Sequence, residues 1–341
     1  MQSPSLKAEN SPRRRLALFL FLLTLASFVI PFSILYYLYP GSFEATWKGR
    51  TYYLFFIWLF VLETILTWEE IEPKITKLKS LRTFAFATSL ALPTVYVVAA
   101  NYYGLNSILE KMAVQQHIEF TSWMPLSAEY LVLTALLVLI ISLKYGISGL
   151  KDFSISAVFL GTMGMIYLID NLYPYGRFAP LQIIVPTTAS LASNVLRLMG
   201  YQTLFLGDPH GLPTYIAWDK YNNYSGAFSI GWPCSGVESL IIYTVTILLF
   251  LKRSNMSWKV RVAYFAIGAA VTYFINVLRI VTIFIISING GNVTQFHDYY
   301  GQLYSITWII SYPLIIIGTQ ALGRKLNLGK RIHVKFRMPI T

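Results

Sequence analysis

The chain has 341 residues, 55% of them hydrophobic and only 12% charged, with a net charge of +12. A soluble domain carries about 25% charged residues, so this composition excludes an ordinary water-soluble fold. The positive excess does not indicate nucleic-acid binding, because Lys and Arg gather in short segments between apolar runs, as orientation signals of membrane proteins do.

Residues 1–15 are polar and end in Arg13-Arg14-Arg15. The apolar run at 16–39 is too long for a signal-peptide core and lacks a small-residue cleavage site, so it reads as a retained first span. Further runs lie near 51–67, 83–100, 126–143 and 153–169, long enough to cross about 30 Å of hydrocarbon. No alternating strand pattern dominates, which makes the spans helical. Residues 179–199 are less apolar and contain Pro180, Pro186, Gln182, Asn194 and Arg197. A polar stretch, 200–230, rich in Gly, Pro, Asp, Asn and Tyr, comes next. Spans resume at 234–251, 262–288 and 302–321, and a basic tail follows.

Charge bias decides whether 179–199 crosses. If it does not, and the N-terminus is cytoplasmic, the segments 1–15, 68–82, 144–152, 252–261 and 322–341 hold 20 Lys and Arg against 6 on the opposite face. If it crosses, the later segments invert and the count becomes 11 inside against 14 outside, with Arg197 and Arg279 within spans. The positive-inside rule selects the first arrangement. The expectation is an all-α polytopic membrane protein of about eight spans, both termini cytoplasmic, with 179–199 re-entrant or interfacial at the outer face. Its regions are a basic N-terminus (1–15), five spans (16–170), an outer segment (171–233), three spans (234–321) and a basic tail (322–341).

The stretch Gly231-Trp232-Pro233-Cys234-Ser235-Gly236-Val237-Glu238-Ser239 contains the only cysteine. Pro233 suits the first turn of a helix. A thiol at that position would face unpaired N–H groups and the positive end of the helix dipole, which favour thiolate. Gly236 would leave room for a close approach. The alternative is that Cys234 packs in the core like alanine. Arg279 lies 18 residues after Arg261, roughly 27 Å along the next span and near its outer boundary. An arginine at that depth faces a cavity or a partner, or snorkels. Asn276 shares its helix face. The following loop contains His297.

Cysteine, histidine and arginine at one depth suit acyl transfer: the thiolate attacks a carbonyl, His297 protonates the leaving amine, and Arg279 stabilises oxyanion charge. Glu238, one turn below Cys234, is costly to bury ionised and would pair with Arg279 or be protonated. Glu63 and Asp170, within or at the ends of spans, would pair with polar groups elsewhere. His210 could serve a substrate groove but reads better as a solvated loop histidine; His117 and His333 suggest no role. Asn223-Tyr224-Ser225 and Asn292-Val293-Thr294 match glycosylation sequons. No zinc-type spacing, phosphate loop or internal repeat is present, and no metal or organic cofactor is indicated.

Cys234-Ser235-Gly236 opening a span, Asn276 through Arg279-Ile280 late in the next, and His297 followed by Gly301 before the last resemble the exosortase/archaeosortase family. The resemblance is anchored in about the last 130 residues; the long N-terminal half and basic, Tyr-rich composition look closer to its archaeal members. It implies an integral-membrane cysteine protease/transpeptidase at the outer face. Its substrates would be secreted proteins with a C-terminal motif, a transmembrane helix and a basic cluster. The new C-terminus would pass to a lipid or other anchor. By that match Cys234 is the nucleophile, Arg279 the stabilising cation and His297 the acid/base partner, supported by Ser235, Gly236, Asn276 and Glu238. Two readings from other classes are a transporter or channel with a path lined by Arg279 and Glu238, and a non-catalytic scaffold with Cys234 packed and unreactive.

Overall fold

A backbone in hydrocarbon must satisfy its N–H and C=O groups within the segment, and each apolar run accordingly folds as helix. The computed structural model describes residues 12–46, 48–66, 80–116, 124–173, 178–208, 212–220, 224–254, 256–301 and 303–335. Among these, six helical stretches are long and apolar enough to cross a membrane: Arg15–Leu38, Leu81–Tyr102, Met124–Gly149, Ser154–Leu172, Trp258–Ile288 and Val293–Gly323. Two shorter apolar helices, Thr51–Ile65 and Val237–Leu248, coincide with the remaining predicted runs. The protein is a polytopic helical membrane protein.

The helices are α1 (Pro12–Leu38), α2 (Pro40–Glu44), α3 (Thr51–Leu66), α4 (Ser80–Ser89), α5 (Leu92–Tyr102), α6 (Leu105–Gln115), α7 (Met124–Gly149) and α8 (Ser154–Leu172), followed by α9 (Val185–Leu198), α10 (Val237–Arg253), α11 (Trp258–Ile288), α12 (Val293–Gln295) and α13 (Leu303–Lys335). In the N-terminal group α7 lies along α8, α3 packs on α8, and α1 packs on α5. Gly164 permits the closest approach, since a Cβ there would come within 2.8 Å of Leu131. Phe32 stacks on Tyr53, which in turn lies against Tyr130, with centroids 4.3 and 4.4 Å apart.

Two acids buried in this half have polar partners. The Glu63 carboxylate accepts the N–H groups of Ile155 (2.7 Å) and Ser156 (2.8 Å), neutralising the positive start of α8 from a neighbouring helix. Asp170 pairs with Lys48 at 2.7 Å. Both acids thus take polar partners, as their positions in the sequence suggest.

In the C-terminal group α10 packs on α8, α11 and α13. A 3₁₀ turn, Ala179–Ile184, leads into α9. Fourteen residues of helix extend about 21 Å, too short to cross about 30 Å of hydrocarbon. One face of α9, with Val185, Thr188, Ala189, Ala192 and Leu196, is buried, and Leu198 on the other is exposed.

The sequence reading missed one element. The stretch 200–230 is not simply polar loop: β1 (Gln202–Gly207), β2 (Thr214–Trp218) and β3 (Ser225–Ser229) form an antiparallel sheet in that order. Short Thr-, Phe-, Tyr- and Ile-containing strands between Gly/Pro/Asp turns carry the right propensity, but they are brief beside the long helical runs. β3 leads straight into the cysteine turn and packs on α11, where Gly226 leaves space for Ser287 and Phe228 meets Phe284 edge-on at 5.0 Å.

Candidate active site

The cysteine turn is built by local bonds. Cys234 N–H donates to the Gly231 carbonyl (3.0 Å), and Ser235 N–H to the carbonyls of Gly231 (3.1 Å) and Trp232 (3.2 Å). Trp232 is fully buried and anchors the turn. The helix begins at Val237, so the thiol lies two residues before the N-cap, Gly236, rather than in the first helical turn. Pro233 therefore shapes a turn, not a first helical turn.

Gly236 leaves room for a close approach, and the group that approaches is Asn276. Its φ is +95°, in the left-handed region, and a Cβ would meet Asn276 Cβ at 2.8 Å. The turn thereby seats on α11. Asn276 is fully buried: its Nδ2 donates to the Thr272 carbonyl (2.8 Å), and its Oδ1 accepts from Ser239 (3.2 Å) and Ser305 (3.3 Å). Its amide ties α10, α11 and α13 together instead of facing the site with Arg279. Ser235 is also structural. Its hydroxyl donates to the Trp232 carbonyl (2.9 Å), and its own carbonyl accepts from Thr188 of α9 (3.2 Å).

His297 arrives from the segment joining α11 to α13. Asn292 caps α12 by accepting the Gln295 N–H (3.0 Å), which explains that asparagine structurally. A π-helical turn, Phe296–Tyr300, follows, closed by Gly301 N–H to the Phe296 carbonyl at 2.7 Å. The widened turn presents the imidazole to the thiol, with Nε2 3.3 Å from Cys234 Sγ. On its other side Nδ1 lies 2.9 Å from Asp298 Oδ1. When Nδ1 donates to Asp298, Nε2 is free to take the thiol proton.

Arg279 completes the group from α11. It is 3% exposed, and its Nε and Nη2 have no hydrogen-bond partner. Gly301 lies against it, since a Cβ at that glycine would stand 2.8 Å from Nε. Glu238, 1% exposed, lies near the Tyr52 hydroxyl at 3.4 Å. Burial pushes the Cys234 thiol up, but the hydrogen bond to His297 and the charges of His297 and Arg279 outweigh it. The thiol stands below its ordinary value despite the opposing charge of Glu238.

Cys234 and His297 meet directly, and Arg279 acts on the thiol through its charge. Asp298 was not picked out from the sequence, although its place beside His297 is a usable signal, and neither was Tyr52, which has none. His117 and His210 lie outside the described residues, as does Asn223 of the first sequon. Among the described residues no three His, Cys, Asp or Glu side chains gather to hold a metal ion.

The fold and this cluster define a class: a multi-pass helical membrane protein with a thiol, an imidazole and a carboxylate in line beside a buried arginine. The family model for transmembrane exosortases matches residues 46–312, which include every residue of the cluster. The chain belongs to the transmembrane exosortase family. No curated protein and no solved structure matches it.

Proposed function

We propose that this exosortase is a cysteine protease/transpeptidase that cleaves the C-terminal sorting tails of secreted proteins. The observation that carries the reading is the 3.3 Å contact of Cys234 Sγ with His297 Nε2 beside the unpartnered N–H groups of Arg279. His297 takes the thiol proton, and the thiolate adds to a peptide carbonyl of the tail. The negative oxygen that forms is stabilised by the Arg279 guanidinium. Collapse breaks the C–N bond, His297 protonates the departing amine, and a thioester remains on Cys234. A second nucleophile, water or a hydroxyl or amine of a lipid anchor, then gives its proton to His297, attacks the thioester and frees the thiol.

Asp298 holds the imidazole in the tautomer this sequence of steps requires. The distribution of Lys and Arg supports an extracytoplasmic site with both termini cytoplasmic. The test is processing of a co-expressed secreted reporter bearing a motif, a transmembrane helix and a basic cluster. Cys234→Ala at matched membrane levels is expected to abolish cleavage, and mass spectrometry of the wild-type product separates hydrolysis from transfer. Cleavage undiminished in Cys234→Ala would sink the proposal.

A further inference from the structure

The π turn that carries His297 does not stand on its own helices alone. Thr46, in the connection between α2 and α3, reaches it from the other half of the molecule. Thr46, 1% exposed, donates its backbone N–H to the Asp298 carbonyl at 2.8 Å. Its hydroxyl lies 3.1 Å from the same carbonyl and 3.3 Å from that of Tyr299. These contacts join residues more than 250 positions apart. They fall on the two residues that immediately follow His297.

The loop that delivers Thr46 is held far more firmly than a connection of its length requires. The Thr51 hydroxyl is 2.7 Å from the carbonyls of both Phe43 and Ala45. Arg50 N–H donates to the Ser42 carbonyl (2.6 Å), and the Tyr130 hydroxyl donates to the Gly49 carbonyl (3.1 Å). The Arg50 guanidinium makes a two-pronged pair with Glu129, 2.8 Å on each prong, and Lys48 pairs with Asp170. Lys48 has a φ of +51°, a left-handed conformation that a side chain adopts only where its surroundings impose it. Buried ion pairs contribute little net stability, because desolvation offsets their attraction, and their surviving effect is to fix geometry. The geometry fixed here is that of Thr46.

We propose that Thr46 is a positioning residue for His297, the contact through which the N-terminal helices hold the π turn in register with the Cys234 thiol. The role rests on the thiol–imidazole chemistry proposed above. Cys234, Asp298 and Arg279 act on the imidazole, and Glu238 also acts on the thiol, so a displaced turn alters these charges.

The single cysteine makes the test direct. The rate of Cys234 alkylation by a small neutral reagent is followed against pH in membranes carrying wild type, Thr46→Val, Thr46→Ser and His297→Ala. Valine keeps the shape and the backbone bond but deletes the hydroxyl; serine restores it. Thr46→Val is expected to move the profile to higher pH, in the direction of His297→Ala, with wild-type behaviour in Thr46→Ser. In reporter processing it lowers kcat about 5-fold with KM unchanged, the effect of losing one hydrogen bond that orients the base. A Thr46→Val profile that coincides with wild type while His297→Ala is displaced overturns the brace and leaves the proposed chemistry standing. If His297→Ala itself leaves the profile unmoved, the brace and the thiol–imidazole pair fall together. If no variant, wild type included, processes a tail, the alkylation profiles still decide the brace.

Discussion

Around Cys234 the charges oppose one another, and each can be removed by a single substitution. The thiol stands below its ordinary value because His297 and Arg279 together outweigh burial and the Glu238 carboxylate. Alkylation of wild type should therefore reach half its limiting rate at a lower pH than a free cysteine does. Arg279→Gln removes a stabilising positive charge and is expected to move that midpoint up. Glu238→Gln removes a negative one and is expected to move it down. Opposite shifts in one titration check both signs at once.

Gly301 offers a purely steric test. An alanine Cβ there would stand 2.8 Å from Arg279 Nε and 2.9 Å from the His297 carbonyl, and one of the two must move. Gly301→Ala is expected to cut reporter processing at least tenfold with normal membrane levels, since either displacement misplaces a reacting group. That glycine was visible in the sequence as part of a family likeness. Its reason, a guanidinium pressed against its Cα, was not.

Among the elements, the helices were the most legible, because an apolar run of about 20 residues has few other fates in a chain this hydrophobic. Local spacing was less informative at the cysteine turn. Pro233 reads as the start of a helix, yet the left-handed Gly236 delays the helix to Val237. The three strands stayed hidden because 5- and 6-residue segments carry little periodic signal. Glu63 illustrates a function that spacing alone does not show. It reads as a costly acid inside a span, and it serves as the cap of α8, a helix that packs on α3 and α10. Glu63→Gln keeps one acceptor oxygen but loses the charge, and should destabilise the protein by about 2 kcal/mol. Thermal unfolding in detergent measures the loss.

For the molecule as a whole, the convergence of Cys234, Arg279 and His297 was legible because topology alone puts two span ends and a loop at one level. The direct thiol–imidazole contact and the buried arginine, whose Nε and Nη2 have no hydrogen-bond partner, give that convergence its geometry. The bridge from Thr46 to Asp298 was not legible, since nothing in a hydropathy pattern relates residues so distant in sequence. The two halves therefore meet through the packing of α8 on α10, through Tyr52 of α3 at Glu238, and through Thr46 at the π turn.

The wide separation of the reacting groups along the chain also has a consequence in time. Cys234 and His297 are 63 positions apart, and synthesis proceeds from the N-terminus. At about 5–20 residues per second the ribosome needs about 3–13 s to make the intervening chain. During that interval the nascent thiol has neither its imidazole nor, for most of it, its arginine, and it stays mostly protonated. The brace loop, by contrast, is complete long before Cys234 is made. A newborn chain therefore passes through the insertion machinery with Cys234 still lacking the groups that lower its pKa, and on the proposed reading the thiol becomes reactive only when the last helices are in place.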